Sequence, residues 1–196
     1  HVAFTPSGSR QKKKNVALSN TLQFFLQFFF TWMIIYSPIY LNEYVGLSWN
    51  QIGVIFSIML LPFPTIQYPA GKLADKIGEK KFLTIGFFIM AIALYWFAKT
   101  LSGTVFVFAI ILFLSRVGAS LAEVMVETYF FKQVNEEDVG SISLFRNMRS
   151  VAFILGPLSA TFLVAKTGIH SLFFVLSAIM LVASICAMML NDTKHA

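Results

Sequence analysis

Charged side chains are scarce in this chain, and cysteine is nearly absent. Asp, Glu, Lys and Arg make up 12% of the 196 residues, whereas a soluble protein of this length carries about a quarter. The single cysteine, Cys186, allows no disulfide framework within the sequence. Hydrophobic residues reach 57% and include 22 phenylalanines, more apolar length than one water-soluble core needs. The composition therefore predicts a membrane protein.

The patterns of common enzyme chemistry are also missing from the sequence. It contains no Walker-type phosphate loop, and His1, His170 and His195 are too scattered to form a metal site or a catalytic base. We therefore expect no enzymatic activity, no cofactor and no metal, and we disfavour an intramembrane enzyme. The net charge of +6 could indicate a nucleic-acid partner, but the cations cluster at the ends of apolar runs, where membrane topology accounts for them. We therefore expect no nucleic-acid partner.

Six apolar runs are each long enough to cross a hydrocarbon layer of about 30 Å as a helix. Helices are expected because unpaired backbone groups in lipid are too costly for other structures. We predict an all-α membrane protein with a polar basic tail or linker at residues 1–15, a six-helix bundle at 16–190 and a short cytoplasmic tail at 191–196. The predicted spans are residues 16–41, 51–70, 82–98, 104–131, 142–165 and 171–190.

Lysine and arginine are distributed unequally between the two predicted sides of the membrane. Twelve of the 15 fall on one side, Lys99 and Lys166 fall on the other, and Arg116 lies within a span. Because cytoplasmic loops are enriched in these residues, we predict that both termini are cytoplasmic. The expected location is the plasma or inner membrane, with several passes through the lipid bilayer.

The fourth apolar run carries charges on one helical face. Arg116, Ser120, Glu123 and Glu127 follow each other at spacings of four, three and four residues. A charge at mid-membrane depth costs about 2.5–3.5 kcal/mol on insertion scales, so it needs a partner or a water-filled cavity. Either these groups pair to hold the bundle together, or Arg116 and Glu123 bind a solute or carry a coupling proton. We favour the second interpretation for these two residues and a structural or gating role for Glu127.

The first run has a second polar face, formed by Asn20, Gln23, Gln27 and Thr31 among phenylalanines. Such amides either line a cavity for a polar or amphipathic solute or hydrogen-bond to neighbouring helices. In the fifth run, Arg146 and Arg149 are expected to meet lipid headgroups or Glu127 rather than a solute. Pro62 and Pro64 are expected to bend the second helix, since each removes a backbone donor.

A weak internal similarity links two of the predicted turns. LADKIG at residues 73–78 and LVAKTG at residues 163–168 share Leu, Lys and Gly at an offset of 90 residues. The turn at residues 73–78 is predicted on the cytoplasmic side of the membrane, and the turn at residues 163–168 is predicted on the opposite side. Three helices followed by three helices of opposite orientation form an inverted repeat, which is typical of transporters.

The segment PAGKLADKIGEKK, which includes the charged stretch from Gly71 to Lys81, resembles the signature turn of the major facilitator superfamily, usually written G-x-L-a-D-r-x-G-r-r. The matching residues are Gly71, Leu73, Ala74, Asp75, Lys76, Gly78 and Lys80. Glu79 stands where a cation is usual. As in the family, the segment joins the second and third of six predicted helices on the cytoplasmic side.

This resemblance implies half of a twelve-helix carrier that moves a small-molecule solute by alternating access. The linker-like GSRQKKKN and the short NDTKHA ending favour the C-terminal half, whose partner would be the missing six-helix half of the same chain or, for a true six-helix protein, a second copy. It also implies a latch, in which Asp75 accepts hydrogen bonds from a helix of the opposite half while Lys76 or Lys80 pairs with Glu127. A six-helix scaffold or sensor that does not transport is the alternative.

Overall fold

The computed structural model describes residues 6–135 and 137–191, without the side chains of residues 6–10 and Asp75. Seven α-helices and one π-helical turn follow one another along this part of the chain. The helices are α1 (Pro6–Ile39), α2 (Trp49–Met59), α3 (Pro62–Ile77), α4 (Glu79–Lys99), α5 (Val105–Gln133), α6 (Val139–Thr167) and α7 (Ile169–Met188), and the π-helical turn at Tyr40–Tyr44 extends α1.

Six helical segments of the described chain are long and apolar enough to cross a membrane. Span 1 is α1 with its π-helical turn, span 2 is α2 with α3, and spans 3 to 6 are α4, α5, α6 and α7. The interruption in span 2 falls at Leu60 and Leu61, directly before Pro62. It lies where the prolines predict a distortion, because Pro62 and Pro64 offer no N–H to continue the helix.

The helices pack in a pattern with an internal regularity. The principal packing pairs of the α-helices are spans 1 and 4, 1 and 5, 1 and 6, 2 and 3, 2 and 4, 3 and 4, 3 and 6, and 5 and 6. This set is unchanged when span 1 is exchanged with span 4, span 2 with span 5, and span 3 with span 6.

Two glycines with positive φ act as single-residue joints between helices. Gly78 (φ 96°) separates α3 from α4, and Gly168 (φ 80°) separates α6 from α7. Their N–H groups donate to Ala74 O at 2.7 Å and to Val164 O at 2.9 Å, which closes the preceding helix. The expected surface turn at residues 71–81 is therefore much shorter than predicted, because glycine adopts this conformation at little cost and lets the chain reverse at one residue.

Glycines also allow spans 3 and 4 to approach closely. A Cβ at Gly86 would lie 2.8 Å from Gly118 O, and a Cβ at Gly118 would collide with Gly86 O. Small residues permit such backbone proximity between helices in a membrane. A similar approach occurs between α1 and α6, where Trp32 Nε1–H donates to Gly156 O at 2.9 Å.

The start of α1 is attached to the connection between α5 and α6. Lys12 Nζ pairs with Asp138 Oδ2 at 2.9 Å, and Asn15 Nδ2 donates to Gln133 Oε1 at 3.2 Å. The hydrogen bond from Lys12 holds the pKa of the Asp138 carboxyl below its usual value. These contacts fasten a part of α1 that lies before the predicted start of span 1 at residue 16.

Candidate functional site: a charged cavity among spans 1, 2, 4 and 5

A cavity of about 450 Å³ opens among spans 1, 2, 4 and 5, a size typical of small-molecule sites. Its walls are mostly apolar, with a glutamine, two arginines and a glutamate among them. The lining residues are Gln27, Phe30, Ile34, Phe56, Met59, Leu60, Phe63, Arg116, Glu123, Arg149 and Phe153.

Arg116 is the most unusual residue of this cavity. It is only 2% exposed, and its guanidinium carbon lies 5.0 Å from the ring centroid of Phe29 and 5.6 Å from that of Phe30. Nε and Nη1 are buried without a hydrogen-bond partner among the described residues. Cation–π contacts stabilise a guanidinium, but they leave its N–H groups unsatisfied, and buried donors of this kind normally have a partner.

Glu123 lies on the same helix and is held from span 2. Gln67 Nε2 donates to Glu123 Oε2 at 2.9 Å. Arg116 is seven residues earlier, about 10 Å away in helix rise, and no ion pair joins these two residues in the described structure. The intrahelical form of the structural interpretation, an ion pair between Arg116 and Glu123, is therefore absent from the described residues.

Sequence reasoning missed Gln67 and misplaced Arg149. Gln67 is an amide inside a predicted span, which was a signal that could have singled it out. Arg149 was expected at lipid headgroups or beside Glu127, yet it lines the cavity with Glu123, and its guanidinium carbon lies 6.0 Å from the ring centroid of Phe153. The span limits did not reveal which way α6 turns this side chain.

The predicted solute-pathway residues are only partly brought together. Gln27, Arg116 and Glu123 line the cavity, whereas Gln23 and Thr31 are buried in α1 outside its lining. Thr31 Oγ1–H donates to Gln27 O at 2.9 Å within its own helix. Gln23 Oε1 is buried without a partner among the described residues. The roles of all five residues remain predictions.

The charged side chains beside Gly78 include an ion pair that is not part of the expected latch, which itself remains a prediction. Glu79, the residue that departs from the signature, is 1% exposed and pairs with Lys132 Nζ at 2.5 Å. Glu127 is exposed, and in the described residues no ion pair joins it to Lys76 or Lys80. The Asp75 side chain lies outside the described residues. The parts predicted for gating, Gly71, Asp75, Lys76, Gly78, Lys80 and Glu127, fall on α3, the Gly78 joint, α4 and α5.

In the part of the chain that the structure describes, six helical segments are long and apolar enough to cross a membrane, and four of them surround the charged cavity, so the fold is that of a polytopic membrane protein. The sequence model of the Major Facilitator Superfamily matches residues 21–195, and the chain belongs to this family. Among the described residues, no group of three or more His, Cys, Asp or Glu is placed to hold a metal ion.

Curated relatives are transporters of several kinds. The chain is 25% identical over 151 residues to the multidrug resistance protein MdtL of Shewanella oneidensis, covering 76% of the chain and 38% of the relative. It is 31% identical over 141 residues to a putative proline/betaine transporter of Staphylococcus aureus, covering 68% and 29%. A probable sulfoacetate transporter SauU of Cupriavidus necator is 29% identical over 82 residues, covering 40% and 18%. The chain thus spans well under half the length of these relatives.

Proposed function

We propose that the chain is one six-helix half of a secondary active carrier that moves a small solute by alternating access. The observation that carries this proposal is the cavity among spans 1, 2, 4 and 5, with Arg116, Glu123 and Arg149 in its wall. Charged side chains at membrane depth mark solute and ion pathways, because lipid cannot solvate them.

The uncovered surface of spans 2 and 5 supports a second half opposite this cavity. Only 22% of the apolar window of span 2 and 17% of that of span 5 are buried, compared with 56% for span 1 and 50% for span 4. Lipid would cover apolar side chains, but not the arginine and glutamate groups between them. We propose that the other six helices of the same polypeptide cover this face, or a second copy of the chain if the protein has six helices.

We also propose that the six spans form two inverted repeats of three. The principal packing pairs of the α-helices are preserved when spans 1, 2 and 3 are exchanged with spans 4, 5 and 6, while the contact of the π-helical turn with α2 has no counterpart. Gly78 and Gly168 occupy equivalent places in the two triplets and both have positive φ. Inverted repeats of this kind underlie alternating access in many carriers.

The orientation with cytoplasmic termini and the location in the plasma or inner membrane are part of the same proposal. The distribution of lysine and arginine supports them. The proposed direction of the chain places the Gly78 joint and the Glu79–Lys132 pair on the cytoplasmic side.

The test is solute-driven proton movement in proteoliposomes containing the full polypeptide and a pH-sensitive dye. A panel of amino acids, organic acids and amines is added under an imposed pH gradient. We expect at least one solute to produce flux, and we expect Arg116→Ala and Glu123→Gln each to lower it by about tenfold or more. Glu43→Gln, at an exposed position far from the cavity lining, is the control and is expected to retain flux.

Folded protein without flux for any solute would contradict the carrier and favour the scaffold or sensor. If flux persists in both cavity variants, the carrier proposal stands, but the solute pathway does not run through this cavity.

A further inference from the structure

We infer that the cavity selects an amphipathic organic anion, a compound with one carboxylate or similar acidic group on an apolar body. This inference rests on the proposed function and names the substrate class of the same site. It follows from the charges of the cavity, from the unsatisfied donors of Arg116 and from the composition of the remaining wall.

The charge balance of the cavity is positive. Arg116 and Arg149 contribute two cations, and Glu123 contributes one anion. Gln67 Nε2 donates to Glu123 Oε2 at 2.9 Å, and among the described residues no direct ion pair joins this carboxylate to Arg116. A ligand with one negative charge would neutralise the cavity, whereas a cation would add to its positive charge.

The donors of Arg116 specify where the acidic group binds. Nε and Nη1 lack partners among the described residues and belong to a side chain that is 98% buried and lines the cavity. A guanidinium in the cavity wall is a charged donor group that attracts a carboxylate or a related oxyanion. An acid bound against this guanidinium would supply a counter-ion inside the cavity.

The remaining wall specifies an apolar body. Phe30, Phe56, Phe63 and Phe153 contribute aromatic surface, and Ile34, Met59 and Leu60 contribute aliphatic surface. A small hydrophilic acid would leave these side chains facing water, whereas an aromatic or branched aliphatic body would cover them. The site therefore disfavours short acids and dicarboxylates.

The experiment uses the full polypeptide in nanodiscs of phosphatidylcholine and measures binding by isothermal titration calorimetry. The probes are 4-phenylbutyrate, its neutral amide and the corresponding amine, 4-phenylbutylamine, with butyrate as the acid lacking an aromatic body. We expect 4-phenylbutyrate to bind and the other three to bind at least about tenfold more weakly. Equal or tighter binding of the amine would overturn the inference without any variant being made.

Variants then locate the anion. Arg116→Gln is expected to weaken 4-phenylbutyrate binding by about tenfold or more, and Arg116→Lys by less, because it keeps the charge and loses the paired donors. Arg146→Gln, at an exposed arginine of α6 outside the cavity lining, is the matched control. Glu123→Gln is expected to keep or increase the affinity, since it removes a negative charge. Unchanged binding of 4-phenylbutyrate in Arg116→Gln, or its loss in Glu123→Gln, would overturn the assignment of the anion to Arg116.

A lipid headgroup has the same chemistry as the proposed ligand, so the titration is repeated in nanodiscs that contain phosphatidylglycerol. We expect an unchanged Kd. Competition by the anionic lipid would identify the occupant as a lipid and overturn a soluble substrate.

Binding and flux separate this inference from the proposed function. Binding of 4-phenylbutyrate without flux of any solute would support the ligand class and contradict the carrier. Flux of amines without binding of the acid would support the carrier and contradict the ligand class.

Discussion

Glu79 lies in the first turn of α4, where a carboxylate is stabilised by the N-terminal end of the helix. Its carboxylate is almost fully buried, while the Lys132 side chain that pairs with it is 44% exposed. The lysine can reach water, so only the Glu79 side of the pair is removed from solvent. A departure from the family signature is thus accommodated by a cation from the end of α5.

Replacing Glu79 tests this pair. Glu79→Gln is expected to lower the free energy of unfolding by about 1–2 kcal/mol, because it removes a charge-assisted hydrogen bond at a buried position. The measurement is an SDS titration in detergent micelles, with Glu43→Gln as an exposed control that is expected to have no effect. Equal stability of the two variants would show that the Glu79–Lys132 pair contributes nothing to folding.

The residues of the site could be predicted from the sequence only where a charged side chain lies inside an apolar run. Arg116 and Glu123 stood out because charges inside an apolar run are costly, and both line the cavity. Arg149 and Gln67 line or support the same site but were not assigned to it. Their roles depend on how α6 and α3 are rotated against α5, and hydropathy contains no information on that rotation.

At the scale of helices, α4 and α5 approach each other closely at Gly86 and Gly118. Helix association in a membrane relies on packing rather than on a hydrophobic driving force between helices. Loss of this close approach therefore removes dispersion contacts that lipid replaces only in part.

Gly118→Ala tests the crossing. The added methyl would collide with Gly86 O and approach the Met90 side chain to 2.8 Å, and overpacking of this kind typically costs about 1–3 kcal/mol. Gly53→Ala is the matched control, because a Cβ at this helical glycine meets nothing within 4 Å. We expect a lower thermal stability in detergent for Gly118→Ala alone. If both variants unfold at the wild-type temperature, the crossing is looser than described.

The number of membrane-length segments and their helical type were predictable, and the ends of the helices were less so. Each apolar run became a helical segment, because only helices satisfy the backbone of isolated spans in lipid, although the second segment is divided into α2 and α3. The sixth span was expected at 171–190 and α7 runs over Ile169–Met188. The predicted surface turn at Gly71 to Lys81 is longer than the turn in the structure. Its polar composition predicted a loop, whereas one glycine with positive φ, Gly78, is sufficient to reverse the chain.

At the scale of the whole molecule, the latch attributed to Asp75 remains a prediction that concerns two halves. We expect Asp75→Asn in the full polypeptide to slow transport while solute binding stays within about twofold, because the substitution acts on the equilibrium between conformations and not on the cavity. Flux in proteoliposomes and calorimetry in nanodiscs measure the two effects. Unchanged flux would remove the latch, and a parallel loss of binding would place Asp75 in the binding step.

The interruption at Leu60 and Leu61 divides span 2 into two parts with different attachments. The first part, α2, contributes Phe56 and Met59 to the cavity wall. The second part, α3, is joined to α4 by one residue, Gly78. A one-residue joint leaves no slack, so we expect α3 to move only together with α4. The freedom to change the shape of the cavity is then concentrated in the two residues before Pro62. We expect transport to continue when a crosslink joins α3 to α4. We expect transport to stop when a crosslink joins α2 to α3 across the interruption at Leu60 and Leu61.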